Sequence, residues 1–302
     1  MIEILQPGIL TTIQDSGRAG FEAYGVPHSG FFDPFLAAIA NKLAGNPLDS
    51  PVLEFALTGP TLLFLDPCCI ALSGYGLRFE INSKPVREFS SVLVAAGSTL
   101  KFFSMHGWFG YLAVSGGFRV EPVLGSASTY IAGKIGGRLE KGGRLDTGKC
   151  QLTGLCLRKE FHPAVSDAVL LLLPGMHTRL FSESEKQKIV QGVYRIGLQS
   201  NRMGIRMEGA GVEPPEVKRS APALSGTIQI PGSGQPILLG PEGPTTGGYA
   251  QLGVMSRTSW SVLAGVRPGK EVRFEWTVPE QAVQIRHDRD RLLETPEAWE
   301  FA

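Results

Sequence analysis

The chain has 302 residues, 43% hydrophobic and 19% charged, an ordinary globular mixture with enough apolar mass for a large core or two smaller ones. Its 29 Lys and Arg nearly balance 28 Asp and Glu, a formal net charge of +1, so no overall field favours nucleic acid or an anionic membrane as partner. The start Met1-Ile2-Glu3-Ile4-Leu5-Gln6 carries neither a basic segment nor a long apolar one, and no apolar run reaches the roughly 18 residues of a membrane span. No signal peptide is visible, and a cytoplasmic location is expected.

The first informative segment is Gln14-Asp15-Ser16-Gly17-Arg18-Ala19-Gly20, followed by Gly25-Val26-Pro27-His28-Ser29-Gly30 and Asp33. Glycine permits positive φ and close approach of a ligand to the main chain. Arg18 offers a planar fork for a carboxylate or phosphate. His28 changes charge near neutral pH. Asp15 and Asp33 either orient donors in a site or merely tie a turn and cap a helix. Asp33-Pro34 is a good helix start, with Leu36, Ile39 and Leu43 on one face and Gly45 placed to end it.

Short apolar runs between glycines and prolines then predict strands: Val92–Ala95, Leu100–Phe103, Trp108–Val114, Thr227–Ile230 and Val272–Phe274. The four cysteines (Cys68, Cys69, Cys150, Cys156) lack CxxC spacing and read as reduced, buried thiols. Gly97-Ser98-Thr99-Leu100-Lys101-Phe102 echoes Gly269-Lys270-Glu271-Val272-Arg273-Phe274, which suits two similar halves joined near Arg158–Pro163. Ser182 with Glu185 forms a capping box for a helix over 186–191, and Thr277 with Glu280 another. Behind the latter, Ala282, Ile285, Arg289 and Leu292 make a stripe expected to dock on the body.

The second polar block is Gln199 to Gly209. Arg202, Arg206 and Glu208 alternate, so on one strand they share a face, either a salt-bridged exterior or an anion-reading wall. The third is Gly240 to Tyr249, where Thr245 and Thr246 hydroxyls precede the Gly247 and Gly248 amides. Such donors suit an oxyanion or phosphate, or a plain glycine hairpin. The order is not that of a Walker loop, and no HExxH, GxSxG or metal-spaced His/Cys cluster occurs. No metal site is expected.

These blocks, with Leu124-Gly125-Ser126, Leu173-Pro174-Gly175, Gly226 to Pro231, Gly234 to Ile237 and Arg267-Pro268-Gly269, resemble in order the allophanate hydrolase subunit 2-like, or biotin-dependent carboxyltransferase-like, family. The resemblance runs from about Ile4 to Phe274. It implies a mainly-β chain of two cyclophilin-like β-barrel domains with a few short helices: residues 1–160, then 165–285 with a C-terminal helix over 279–294. It implies the C subunit, inactive alone, of an ATP-dependent 5-oxoprolinase that opens a lactam to L-glutamate. Its partners would be a KipI-like companion of the B type and a lactam-hydrolysing protein of the A type, with ATP and Mg²⁺ shared within the complex. Alternatives are a biotin-dependent carboxyltransferase acting on urea or a similar small amide, and a non-catalytic regulator binding its companion. The catalytic set on this reading is Arg202, Arg206, His28 and Asp15. The substrate- or phosphate-binding set is Arg18, Ser29, Asp33, Asn41, Gln229, Gln235, Thr245, Thr246, Gly247, Gly248 and Tyr249. The chain departs from the family pattern at Ala127 (for Arg), Glu242 (for Asp), Gln251 (for Lys or Arg) and Ser259 (for Asp).

Overall fold

The computed structural model describes residues 1–164 and 167–301; residue 165, the expected start of the second domain, lies outside them. The chain is mostly β and divides into two compact units. Unit 1 comprises Met1–Arg18, Ser29–Ala164 and Asp290–Ala302; unit 2 comprises Ala19–His28 and Val165–Arg289. The segment Ala19–His28, drawn from the first polar block, thus clusters with the carboxy-terminal half.

Unit 1 is built from β1 (Ile2–Gln6), β2 (Leu10–Gln14), helix α1 (Pro34–Ala44), β3 (Val52–Ala56), β4 (Thr61–Phe64), β5 (Cys68–Gly74) and β6 (Arg78–Ile81). It continues with β7 (Lys84–Pro85), β8 (Ser91–Val94), β9 (Thr99–Ser104), β10 (Phe109–Val114), β11 (Arg144–Leu145) and β12 (Leu155–Leu157). The strands form two sheets, ordered β11-β1-β4-β9-β6-β7 and β2-β3-β10-β5-β8. Ile2, Ile4, Leu62 and Phe64 of the first meet Leu53, Phe55, Ile70, Leu72 and Leu112 of the second in one buried cluster. α1 packs on β5 and β10. With a cover on both sides, β10 shows no alternation; all of Phe109–Val114 is buried.

The helix start read from sequence is present. Asp33 caps α1 by accepting from the amides of Phe35 (3.0 Å) and Leu36 (3.3 Å), and Pro34 opens the first turn. Leu36, Ile39 and Leu43 are fully buried, each contributing about 1.5–3 kcal/mol of transfer free energy. Gly45 ends the helix at φ +75°, and a Cβ there would lie 2.8 Å from Cγ2 of Thr153. Gly45→Ala is therefore expected to cost about 1–2 kcal/mol, which thermal unfolding will show as a lowered midpoint.

Unit 2 contains β13 (Val169–Pro174), α2 (Glu183–Gln191), β14 (Val193–Ile196), β15 (Gly204–Glu208), β16 (Ala221–Pro222), β17 (Thr227–Ile230) and β18 (Ile237–Leu239). After these come β19 (Thr246–Gly247), β20 (Ala250–Met255), α3 (Ser259–Gly265), β21 (Glu271–Trp276) and α4 (Pro279–Asp290). Seven strands close into a barrel in the order β13-β20-β17-β18-β15-β14-β21. Ile205, Ile228 and Leu238 fill its interior at 0% exposure. β16 and β19 make a separate two-stranded ribbon. The echoing segments noted in the sequence are glycine turns entering strands: Gly97 has φ +78° and Gly269 φ +88°.

Three expectations need correction. α4 ends at Asp290 and buries no residue; Ala282, Ile285 and Arg289 are only half-buried, so the predicted stripe marks the inner face but does not sink into a core. Cys150 is exposed, while Cys68, Cys69 and Cys156 are buried free thiols as expected. Burial pushes the Cys68 and Cys69 thiols upward, keeping them protonated. Third, Arg202 does not share a strand face with Arg206, because β15 begins after it. The final strand, β22 (Trp299–Phe301), pairs with β12, and Lys42 of α1 lies 5.1 Å above the Trp299 ring. No helix among the described residues is long and apolar enough to cross a membrane.

Candidate functional site

In unit 1 the first polar block folds around one carboxylate. Asp15 accepts from the Gly17 amide (2.8 Å), the Ala127 amide (2.7 Å) and the hydroxyls of Ser126 and Ser128 (both 2.5 Å). Burial raises the Asp15 pKa, but these four donors together outweigh it and hold the carboxyl below its ordinary value. Arg18, 1% exposed, donates to Oγ of Ser29 (3.0 Å) and to the Ser128 carbonyl. Ser29 itself sits at φ +58° and Gly30 at +84°, where a Cβ on Gly30 would press within 3.1 Å of the Ser16 and Gly17 backbone. Asp15, Arg18 and Ser29 are thus brought together around Ser128, as an interlocked turn rather than an open face.

Asp33 and Asn41 serve α1. Asn41 donates to the carbonyls of Leu48 (3.2 Å) and Ser50 (2.8 Å) and accepts from Asn46 (3.1 Å), bracing the loop after the helix. Beneath Asp33 lies a group the sequence reading missed. Oε2 of Glu54 accepts from the Phe32 amide (2.7 Å) and the Tyr111 hydroxyl (2.8 Å), whose oxygen in turn accepts from the Asp33 amide (2.6 Å). Burial, then the Glu54 and Asp33 charges, push the Tyr111 phenol well up, so it stays a donor. The available signal was a lone acid in the apolar run Val52-Leu53-Glu54-Phe55-Ala56.

In unit 2 the second block splits at a turn. Asn201 Oδ1 accepts from the amides of Met203 (2.8 Å) and Gly204 (3.2 Å), and β15 begins only at Gly204. Arg202 therefore turns inward, where its Nε meets Oε1 of Glu242 at 2.5 Å with side chains 3% and 8% exposed. Arg206 and Glu208 point outward, exposed on the barrel wall. The Gly240–Gly243 segment is stitched alongside: the Gly240 amide donates to the Met203 carbonyl (3.0 Å) and the Glu242 amide to that of Arg202 (3.0 Å).

Strand register puts Arg206 opposite Ile237, Ile237 opposite Gln229, and Gln229 opposite Gln251. Cross-strand partners face the same way, so these four form one row on the outer wall. Gln229 and Gln251 are nonetheless 4% and 3% exposed. The β16–β19 ribbon covers them: Gln251 donates to the Pro222 carbonyl (2.9 Å), and the position a Gly247 Cβ would take is 2.3 Å from Nε2 of Gln229. The Gln251 amide donates to Nδ1 of His177 (3.1 Å). Thr246, Gly248 and Tyr249 are exposed, and Thr245 and Gly247 partly so. Gln235 brackets Gly209, accepting its amide (3.0 Å) and donating to its carbonyl (3.2 Å). His28 is exposed in unit 2.

Two departures from the family pattern have local accommodation. Ser259 Oγ accepts the Leu171 amide (2.8 Å), and Glu242 reaches Arg202. Among the described residues no group of three or more His, Cys, Asp or Glu is arranged to hold a metal ion.

A family model described as carboxyltransferase domain, subdomain A and B, matches residues 24–276. The chain belongs to this family. It is 32% identical to the C subunit of 5-oxoprolinase from Escherichia coli over 97% of each chain. It is 28% identical to urea amidolyase of Lachancea kluyveri, spanning 98% of this chain but 18% of that protein. The solved urea amidolyase of K. lactis superposes with a TM-score of 0.88 at 26% identity, covering 97% of this chain and 20% of that one. The expected family and the mainly-β, barrel-containing fold are thereby established. The chain is a carboxyltransferase-like relative of enzyme subunits.

Proposed function

We propose that this chain is the C subunit of an ATP-dependent 5-oxoprolinase, opening 5-oxoproline to L-glutamate together with a KipI-like companion of the B type and a lactam-hydrolysing companion of the A type. The observation carrying this reading is end-to-end similarity to the E. coli protein, 97% of both chains, whereas the yeast urea amidolyase is matched over less than a fifth of its length. The outward row on the barrel wall agrees with a small, polar, singly anionic substrate. Arg206 is the exposed cation, and Gln229 supplies both a donor and an acceptor beside a strand that lacks side-chain bulk at Gly247.

On the outward row the donors suit one small anion. Arg18 and Arg202 are buried in internal contacts, leaving Arg206 as the exposed arginine of the three. ATP and Mg²⁺ would be held by the assembled complex, as the shared cofactors of the three-part enzyme. This chain's own task is to bind and orient the lactam, holding its reacting amide still for the groups its companions bring.

The test is reconstitution with folded A-type and B-type companions, following glutamate and ADP. Glutamate formation is expected with all components and lost when this chain is omitted. An unchanged rate on omission, or no glutamate with every component folded, overturns the reading. The structural likeness to urea amidolyase favours one competing outcome, bicarbonate- and biotin-dependent carboxylation of urea that avidin abolishes.

A further inference from the structure

The two outward glutamines of the barrel are chemically alike and differently used. Both lie beneath the β16–β19 ribbon, on adjacent strands, directly opposite each other. Gln251 spends its Nε2 on the Pro222 carbonyl of β16. Gln229 lies under β19, and its Nε2 has no hydrogen-bond partner although the residue is only 4% exposed. A buried amide donor left unmade is a standing cost, and such groups are rare in folded proteins. The strand above it presents Gly247, the residue type that leaves room over the amide; a Cβ would overlap Nε2 at 2.3 Å. Two strands along the same row stands Arg206, about 10 Å away between Cα positions at the usual strand spacing, a distance an arginine side chain largely spans.

From this we propose that Gln229 is a specificity residue that reads the cis-amide edge of a lactam, with Arg206 holding a carboxylate on the same ligand. A cis amide carries its N–H and C=O on one side. A primary carboxamide is the complementary shape: Nε2 donates to the lactam oxygen and Oε1 accepts from the lactam N–H, closing a two-bond ring. Proline, lacking the carbonyl, forms neither bond pair nor planar match. The ligand class is a small cyclic amide bearing a carboxylate, and it is admitted when β19, held to β16 by two residue pairs and one further bond from the Ala223 amide to the Thr245 carbonyl (2.9 Å), lifts from Gln229. The choice of 5-oxoproline as probe rests on the 5-oxoprolinase reading; the binding geometry does not.

Titration calorimetry of the full chain with its companions present tests this, using 5-oxoproline, L-proline and 2-pyrrolidone. Wild type is expected to bind 5-oxoproline and not proline. Gln229→Leu should raise its Kd about 10–100-fold, the worth of two lost hydrogen bonds, without lowering the unfolding temperature, because no internal bond is broken. Gly247→Ala should do the same by pushing the amide aside, and it keeps the readout should the leucine variant misfold. Arg206→Ala should weaken 5-oxoproline but leave 2-pyrrolidone, which has no carboxylate, unaffected. Unchanged 5-oxoproline affinity in both Gln229→Leu and Gly247→Ala, or no binding by wild type, overturns the proposal. If turnover persists with unchanged KM in Gln229→Leu, the oxoprolinase reading stands and this assignment fails. If 5-oxoproline binds through Gln229 yet nothing is turned over, the assignment stands and the oxoprolinase reading fails.

Discussion

Arg202→Ala is expected to destabilise unit 2 by about 3–5 kcal/mol, the usual consequence of removing one member of a buried ion pair. The guanidinium and the Glu242 carboxylate meet at 2.5 Å with almost no solvent contact, so alanine would leave a carboxylate buried without its counter-charge. The same pair fastens Gly240–Gly243 to the turn before β15. That packing is close: a Cβ on Gly240 would sit 2.0 Å from the Arg202 carbonyl oxygen. At about 2–4 °C per kcal/mol for a domain of this size, the unfolding midpoint should drop by roughly 10 °C. Replacing both partners by apolar residues of similar volume, Arg202→Met with Glu242→Leu, should recover much of the loss, since the buried charges go together. Thermal and denaturant unfolding of the single and double variants settle the matter. A single variant that keeps its midpoint but loses turnover in the assembled complex would instead place Arg202 against substrate.

Asp15→Ala should cost unit 1 about 2–4 kcal/mol, because it strands two amides and two hydroxyls that all point at the carboxylate. Those bonds tie residues 15–17 to 126–128, more than a hundred positions away in the chain. The pH dependence has a definite sign. Burial alone would raise the Asp15 pKa, but the donors from Ser126, Ser128, Gly17 and Ala127 together hold it below the ordinary value of 3.8. A folded-state pKa below the unfolded one contributes stability that is complete above about pH 4 and is lost as pH falls through the folded value. Wild type should therefore lose stability below about pH 4 with a slope that Asp15→Asn lacks. Parallel slopes in urea titrations of the two proteins between neutral pH and about pH 3 would show that the Asp15 carboxylate is not held ionised by its donors.

Both variants concern residues singled out for chemistry, and in both the structure presents a side chain wired into the frame. The outward row shows the opposite arrangement. Arg206 is exposed, and Gln229 retains an unsatisfied donor.

Local patterns were legible in the residues alone. Asp33-Pro34 and Gly45 bounded α1, Ser182 capped α2 through the Glu185 amide (3.3 Å), and glycine-punctuated apolar runs marked the strands, because caps, turns and alternation depend on residues a few positions apart. Tertiary structure alone decided which polar residue faces what. Arg202 and Arg206 look equivalent in the chain, yet an Asn201-centred turn sends one inward to Glu242, forty residues on, and leaves the other outside. Gln229 owes its burial to a ribbon drawn from residues 221–222 and 246–247, and Asp15 owes its lowered pKa to serines 111 and 113 residues distant. Charge, burial and hydrogen-bond satisfaction are properties of the space around a side chain, and that space is assembled only when distant segments meet.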